Sequence, residues 1–313
     1  MKLIPDNTSI DFLNRTPRTI ALGIAALLVV VSLASLIMRG MEFGIDFTGG
    51  VLLEVGYPEE ADLDRIRQLM AESGYDDVQV QRFGAATDVM LRLPPQPDLD
   101  PNAVRESLSD ILTADNPGVQ LRRVEFVGPQ VGEDLREQGA TAVIFALCMI
   151  FIYIMFRFQW KFSAGAVAAL LHDIIITLGF FSIFGLQFDL TVLAGLLAVI
   201  GYSLNDTVVV FDRIRENFIS MRGATTLDAM NRSINDTLSR TIITGITTLL
   251  VLVALYYLGG ESVRSFSTAL IVGIVIGTFS SVYVASALSL SLGISAKDLL
   301  PPEKDSKLID DLP

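Results

Sequence analysis

Hydrophobic positions along this chain fall into six long runs and one stretch of short, alternating segments. Residues 19–38 form an uncharged apolar run about as long as a helix needs to cross a bilayer core. Polar sequence follows for about a hundred residues, and then come five closely spaced runs at 139–156, 162–184, 190–211, 241–258 and 266–292. The pattern predicts six transmembrane helices, the first set apart from a group of five. In the polar interval, 51–57, 78–83, 88–93 and 119–127 are strand-like, by apolar content or by period-two alternation. Leu63, Ile66, Leu69 and Met70 recur at helical spacing in 62–73, as do Val104, Leu108 and Leu112 in 101–112, where Asn102 is placed to cap. The four prolines of 93–101 mark a loop. The order β-α-β-β-α-β predicts a small two-layer α+β domain of the ferredoxin-like kind. The fold class is therefore a polytopic α-helical membrane protein with one small α+β domain outside the bilayer.

Charge sharpens the division. Residues 41–137 hold 20 Asp and Glu against 8 Lys and Arg, so the whole formal net charge of −12 sits there. An acidic surface of this kind argues against nucleic acid as its partner and against anchoring on anionic lipid. Basic residues set orientation by the positive-inside rule. Lys2, Arg15, Arg18, Arg157, Lys161, Arg213, Arg215, Arg222, Arg232, Arg240, Lys297, Lys304 and Lys307 lie on one side, against Arg39 and Arg264 on the other outside the polar interval. Both termini are thus expected in the cytoplasm. The expected organisation is a cytoplasmic N-terminus (1–18), transmembrane helix 1 (19–38), an external domain (39–138), helices 2–6 (139–292) and a cytoplasmic tail (293–313). The first run is too long for the core of a cleaved signal and shows no small-x-small site, so it reads as an uncleaved anchor. In the loop 212–240, Leu227, Met230, Ile234 and Leu238 predict an amphipathic helix, either on the inner membrane face or packed on the end of the bundle.

One Cys (Cys148) and one His (His172) exclude an intrachain disulfide and a Cys/His zinc cluster. Cys148, in an apolar run, reads as a packed or lipid-facing hydrophobe. No nucleotide-binding or hydrolase motif is present, so no cofactor and no enzymatic activity are expected.

Ionisable residues inside a span are costly and point to function. Asp206 lies in the fourth run between Asn205 and Thr207. A buried carboxyl of this kind can take up and release a proton near neutrality, or can stay protonated and only hydrogen-bond a neighbouring helix. His172 and Asp173 lie inside the third run, where adjacent positions point about 100° apart and need not touch. Arg240 opens the fifth run and can either snorkel to the interface or reach Asp206. Asp212 and Arg213 mark a boundary with an ion-pair role. Gly273 and Gly277, continued by Ser281 and Ala285, and Gly195 with Gly201, mark close helix contacts. Half of a larger bundle, packed against a partner, is the expected assembly.

Phe43-Gly-Ile-Asp-Phe-Thr-Gly-Gly50 resembles the signature segment of the SecD/SecF protein-export family, and residues 203–216 resemble that family's fourth-span signature. The segment 240–245 and the pair His172-Asp173 also match, and the likeness covers nearly the whole chain as a single six-span unit. The resemblance implies a heterodimer with SecD, twelve spans in the manner of the RND superfamily, and cooperation with SecYEG, YajC and the exported unfolded polypeptide in the bacterial inner membrane. It implies use of the proton gradient late in translocation, with Asp206 and Arg240 in proton transport; Asn205, His172 and Asp173 are read as further members of the proton relay. Gly44, Asp46, Gly49 and Gly50 read as a structural connector, with Asp46 in a turn or cap. Two other readings stay open: an RND-type half-transporter for lipids or small molecules, and a non-conducting assembly subunit.

Overall fold

The computed structural model describes residues 10–75, 77–95, 101–221 and 223–295. Lys2, Arg222, Lys297, Lys304 and Lys307, positions 96–100 of the proline-rich loop and most of the tail lie outside the described residues.

The polar interval builds a four-stranded antiparallel sheet from β1 (Gly50–Gly56), β2 (Gln79–Arg82), β3 (Asp88–Leu93) and β4 (Gln120–Val127). The order β2-β3-β1-β4 is that of a split βαβ ferredoxin-like domain. Two helices, α3 (Leu63–Glu72) and α4 (Pro101–Asp115), interrupt the strands. Asp62 caps α3 by accepting from the N–H groups of Asp64 and Arg65. The α4 helix begins at Pro101, so Asn102 falls inside its first turn and not at the cap. One sheet face buries Val51, Leu53, Val55, Leu91 and Leu93 against Ile66, Met70, Leu108 and Leu112. The alternate positions Leu52 and Met90 pack instead with Ile45, in the connector below the sheet. Period-two alternation thus gives the sheet a core face and a face toward the bundle.

Among the described residues, six helices are long and apolar enough to cross a membrane. They are α1 (Arg15–Met38), α5 (Pro129–Arg157), α6 (Trp160–Phe184), α7 (Leu190–Ser220), α8 (Thr226–Leu258) and the last span, made of α9 (Glu261–Ser280), a π-helical turn (Ser281–Ala285) and α10 (Ser286–Ser291). A four-residue helix, α2 (Ile45–Thr48), sits in the connector between α1 and β1. Burial separates two groups. The most apolar windows of α6, α7 and the last span are 56%, 44% and 50% buried, whereas those of α1, α5 and α8 are 17%, 11% and 17% buried. The first three are the core of the bundle. The others leave broad apolar faces open, and Cys148 is exposed on one of them.

Small residues make the core contacts. A Cβ on Gly273 would lie 2.1 Å from Val199 Cγ2, and one on Gly277 would lie 3.1 Å from Ser203 Cβ. This small-residue seam therefore serves α9 against α7 within the chain, not a partner. Gly195 closes on Ala269 in the same way, but Gly201 has open space around it and marks no internal contact.

Helices α7 and α8 run well past the apolar limits read from the sequence. No separate helix lies on a membrane surface in 212–240: residues 212–220 finish α7 and 226–240 begin α8. Met230 and Ile234 are fully buried against Phe211, Ile214 and Leu13, with Leu227 and Leu238 at the margin. The amphipathic stripe is thus satisfied by the bundle's own end. Arg213 clamps the hairpin through Asp236, at 2.9 Å from Nε and 2.7 Å from Nη2. Asp212 pairs with Arg157 of α5 at 2.8 Å.

The segment 10–13 is stitched to this end by amide side chains. Asn231 Oδ1 accepts from the N–H groups of Phe12 and Leu13 at 3.1 and 2.9 Å. Asn235 both accepts from Ile10 N and donates to Ile10 O. Asn231→Ala should strand two buried donors, at about 1–3 kcal/mol each. Hydrogen exchange should then show faster exchange at Phe12 and Leu13, with the α6 interior unchanged.

Candidate functional site

Ionisable residues of the third and fourth runs meet where α6, α7 and the last span cross. On α7, Ser203, Asp206 and Thr207 share one buried face, as positions i, i+3 and i+4 must on a helix. Asp173 of α6 faces them. Its Oδ2 accepts from Ser203 Oγ at 2.6 Å and from Ser280 Oγ at 2.8 Å. Its Oδ1 lies 3.0 Å from His172 Nδ1. Although their Cα–Cβ bonds diverge, the adjacent side chains therefore do touch. His172 is buried beside Phe279, and its Nε2 is enclosed without a hydrogen-bond partner. Thr207 Oγ1 and Ser281 Oγ are 2.8 Å apart, and Ser281 Oγ also approaches Ser203 O at 3.4 Å.

The two carboxyls are held differently. Asp173 has both oxygens engaged. Asp206 is only 3% exposed, makes no hydrogen bond among the described residues, and has Oδ2 fully enclosed. Arg240 is the cation that acts on Asp206 electrostatically, without forming a direct ion pair. Its side chain is exposed on α8. The antiparallel register that pairs Arg213 with Asp236 sets Arg240 opposite position 209, three residues or about 4.5 Å of helix rise from Asp206. Asn205 is exposed and points off the seam. The structure thus joins Asp173 to His172, sets Asp206 one turn of α7 beyond the Ser203 that bonds Asp173, keeps Arg240 within electrostatic reach of Asp206, and leaves Asn205 exposed.

Sequence reasoning missed Ser203 and Ser280 as partners of Asp173, placed Ser281 only in the small-residue stripe of the last span, and placed Thr207 only as a neighbour of Asp206. Serines abound in the last span, so their number carries no signal. The usable signal was positional: Ser203 and Thr207 flank Asp206 at helical spacing; Ser280-Ser281 carried none, since only the structure shows the last span departing from α-helical geometry there. Single π-helical turns inside α-helices recur at functional sites because they re-aim side chains. Here the turn follows Ser280, with Ser281 as its first residue.

The glycine-rich connector forms a separate constellation. Gly44 N donates to Phe188 O at 2.8 Å, and Phe188 N to Glu42 O at 2.7 Å. Asp46 Oδ2 accepts from Leu190 N, the first residue of α7, at 2.9 Å, while Asp189 caps the same helix through Val192 N. Asp46 is a long-range cap. Gly49 and Gly50 have φ of +71° and +122°, and a Cβ on Gly50 would lie 2.3 Å from Leu93 O. Gly132 of α5 packs on Gly49 N. Arg92 of β3, whose basicity burial lowers against the opposing pull of Glu42, donates to Thr48 Oγ1 at 2.6 Å. The sheet, α5 and α7 therefore all meet at this connector.

A multi-pass membrane bundle with a buried carboxylate seam and a small α+β domain on one end is the architecture of a membrane transport component. Residues 107–295 match the family model for protein export membrane protein SecD/SecF, C-terminal, and residues 34–57 match that for the SecD/SecF GG motif. The protein translocase subunit SecF of Vibrio alginolyticus is 47% identical over 297 residues, covering 94% of each chain. That of Pseudomonas aeruginosa is 46% identical, covering 95% of this chain and 96% of its own. The crystal structure of SecDF, a translocon-associated membrane protein from Thermus thermophilus, superposes with a TM-score of 0.84 at 35% identity. That match covers 91% of this chain and 39% of the SecDF chain. The chain belongs to the SecF branch of the SecD/SecF protein-export family.

Proposed function

We propose that this protein is an auxiliary subunit of the Sec translocase, paired with a SecD-type subunit, and that it uses the proton gradient to promote late translocation and release of secreted proteins. The observation that carries the gradient part is Asp206: a carboxyl enclosed between membrane-spanning helices, without a hydrogen bond, with a cation on the next helix as its electrostatic partner. An unpartnered carboxyl can change protonation without breaking any side-chain contact. Movement of α8 against α7 would change the distance to Arg240 and with it the carboxyl's proton affinity. The neighbouring Asp173 contacts His172 and accepts from Ser203 and Ser280, so it ties α6, α7 and the last span together beside Asp206.

The distribution of basic residues supports cytoplasmic termini and places the acidic domain on the opposite side of the bacterial inner membrane, where exported chains emerge. Open apolar faces on α1 and α8 leave room for the six spans of a SecD-type partner. SecYEG, YajC and the unfolded substrate are the further partners of this reading. A half-transporter for small molecules is less well supported, because the external domain is one compact ferredoxin-like unit.

Arg240 offers the test. Arg240→Lys keeps the charge on a different, flexible stem, so gradient-dependent release should be reduced but measurable. Arg240→Gln should remove it. Pulse-chase release of a secreted protein, with membrane levels of both subunits measured in parallel, separates the two. Normal release in Arg240→Gln would reject coupling through this pair. Unchanged secretion in a deletion strain with altered drug or lipid sensitivity would instead favour the half-transporter.

A further inference from the structure

At the domain end of the bundle, a cavity of about 350 Å³ opens between α5 and the flank of α6 and α7. Its floor is aromatic: Phe43, Phe47 and Phe188 lie with ring centroids 5.6–6.0 Å apart. Its α5 wall is low, because Gly139 and Ala140 project nothing large into it. Gly139 is constrained to stay small, since a Cβ there would lie 2.8 Å from Leu193 Cδ2. Ile144, further along the groove, is 63% exposed, so the cavity opens sideways, where a bilayer would lie.

Arg136 is the charged residue of this lining. It is exposed and its side chain makes no hydrogen bond or ion pair with another described residue. It stands three residues before Gly139, where the apolar run of α5 begins, and so lies at headgroup depth when that run is in hydrocarbon. An unpaired guanidinium at that depth calls for an oxyanion, and a phosphate matches its planar fork. Glu133 stands one helical turn before it, and with Asp134 and Glu137 the stretch 133–137 carries a net −2. An anionic headgroup would be repelled there, whereas an ammonium beside the phosphate would meet carboxylates.

We propose that this groove binds one phospholipid with a zwitterionic amino headgroup, its acyl chain over the phenylalanine floor, its phosphate on Arg136 and its ammonium among the α5 carboxylates. The site is independent of the Asp206 seam and of the reading given to it.

Native mass spectrometry of the full-length protein in detergent tests this, by titration with phosphatidylethanolamine and, separately, phosphatidylglycerol. One phosphatidylethanolamine should be retained, more tightly than phosphatidylglycerol. Arg136→Gln should weaken it about tenfold, the loss of one charge-assisted contact. Ala140→Trp, which fills the groove, should weaken it as much, while Val253→Trp on the exposed face of α8 should leave it unchanged. Equal retention by wild type and both groove variants would overturn the proposal, as would phosphatidylglycerol bound as tightly. A photoreactive residue at position 140 in native membranes gives an independent readout that needs no destabilising change. It should crosslink to lipid, and a crosslink to a second polypeptide would overturn the assignment.

Discussion

Asp206→Asn should abolish the gradient-dependent part of protein release while leaving the subunit folded, inserted and paired. The substitution is close to isosteric. Asp206 makes no side-chain hydrogen bond among the described residues, so no structural contact is lost with its charge. What is lost is the ability to bind and release a proton. A positioned proton-transfer group contributes about 10²–10⁴-fold to the step it serves. The gradient-stimulated release rate should therefore fall by at least about 100-fold, to the level seen with the gradient collapsed. Pulse-chase measurement of a secreted protein outside spheroplasts reads this directly. Asn205→Ala provides the contrast one residue away: Asn205 points off the seam, and release should stay within about twofold of wild type, since no proton-transfer group is removed. If Asp206→Asn released protein normally, the subunit would be an assembly factor and not a proton-driven one.

Gly50→Ala should have the largest effect on folding. Gly50 sits at φ +122°, and the new Cβ would lie 2.3 Å from Leu93 O. Leu93 is the register partner of Val51 in the central strand pair, so the clash falls on backbone that the sheet holds in place. Backbone strain of about 1–3 kcal/mol and overpacking of about 1–3 kcal/mol compete with a domain stability of about 5–15 kcal/mol. Limited proteolysis of the full-length protein in detergent should show rapid cleavage between residues 50 and 127. Gly201→Ala is the control: nothing lies within 4 Å of its added Cβ, and proteolysis should match wild type.

Much of this architecture was legible in the chain because single physical causes dominate there. Uninterrupted apolar runs long enough to span a bilayer stand out regardless of context. The alternation of the polar interval fixed both the element order and the sheet face that receives α3 and α4. Helix ends were less legible. Residues 226–240 look amphipathic, and sequence cannot say whether the apolar stripe meets lipid or protein. Here Phe211, Ile214 and Leu13 cover Met230 and Ile234, so the stripe extends α8 into the bundle's end.

The site was legible in its costly residues and not in its cheap ones. Asp206, Asp173 and His172 announce themselves inside apolar runs; Asp173 and His172 meet, with Asp206 one turn of α7 beyond Ser203. Ser203 and Ser280 cost little in a membrane helix, so only the position of the Asp173 carboxylate distinguishes them from other serines. The His172–Asp173 contact depends on side-chain torsions that helical spacing does not specify. Asp46 caps a helix that starts 144 residues later, a pairing that exists only once the connector has folded against the start of α7.

The measurement that tests the central claim most directly is release of a translocating protein from proteoliposomes containing this subunit, a SecD-type partner and the SecYEG channel, with a proton gradient imposed across the membrane. The account predicts that the gradient accelerates release, that an ionophore cancels the acceleration, and that Asp206→Asn shows none although the complex assembles. The same release rate with and without the gradient, or full acceleration in Asp206→Asn, would contradict it.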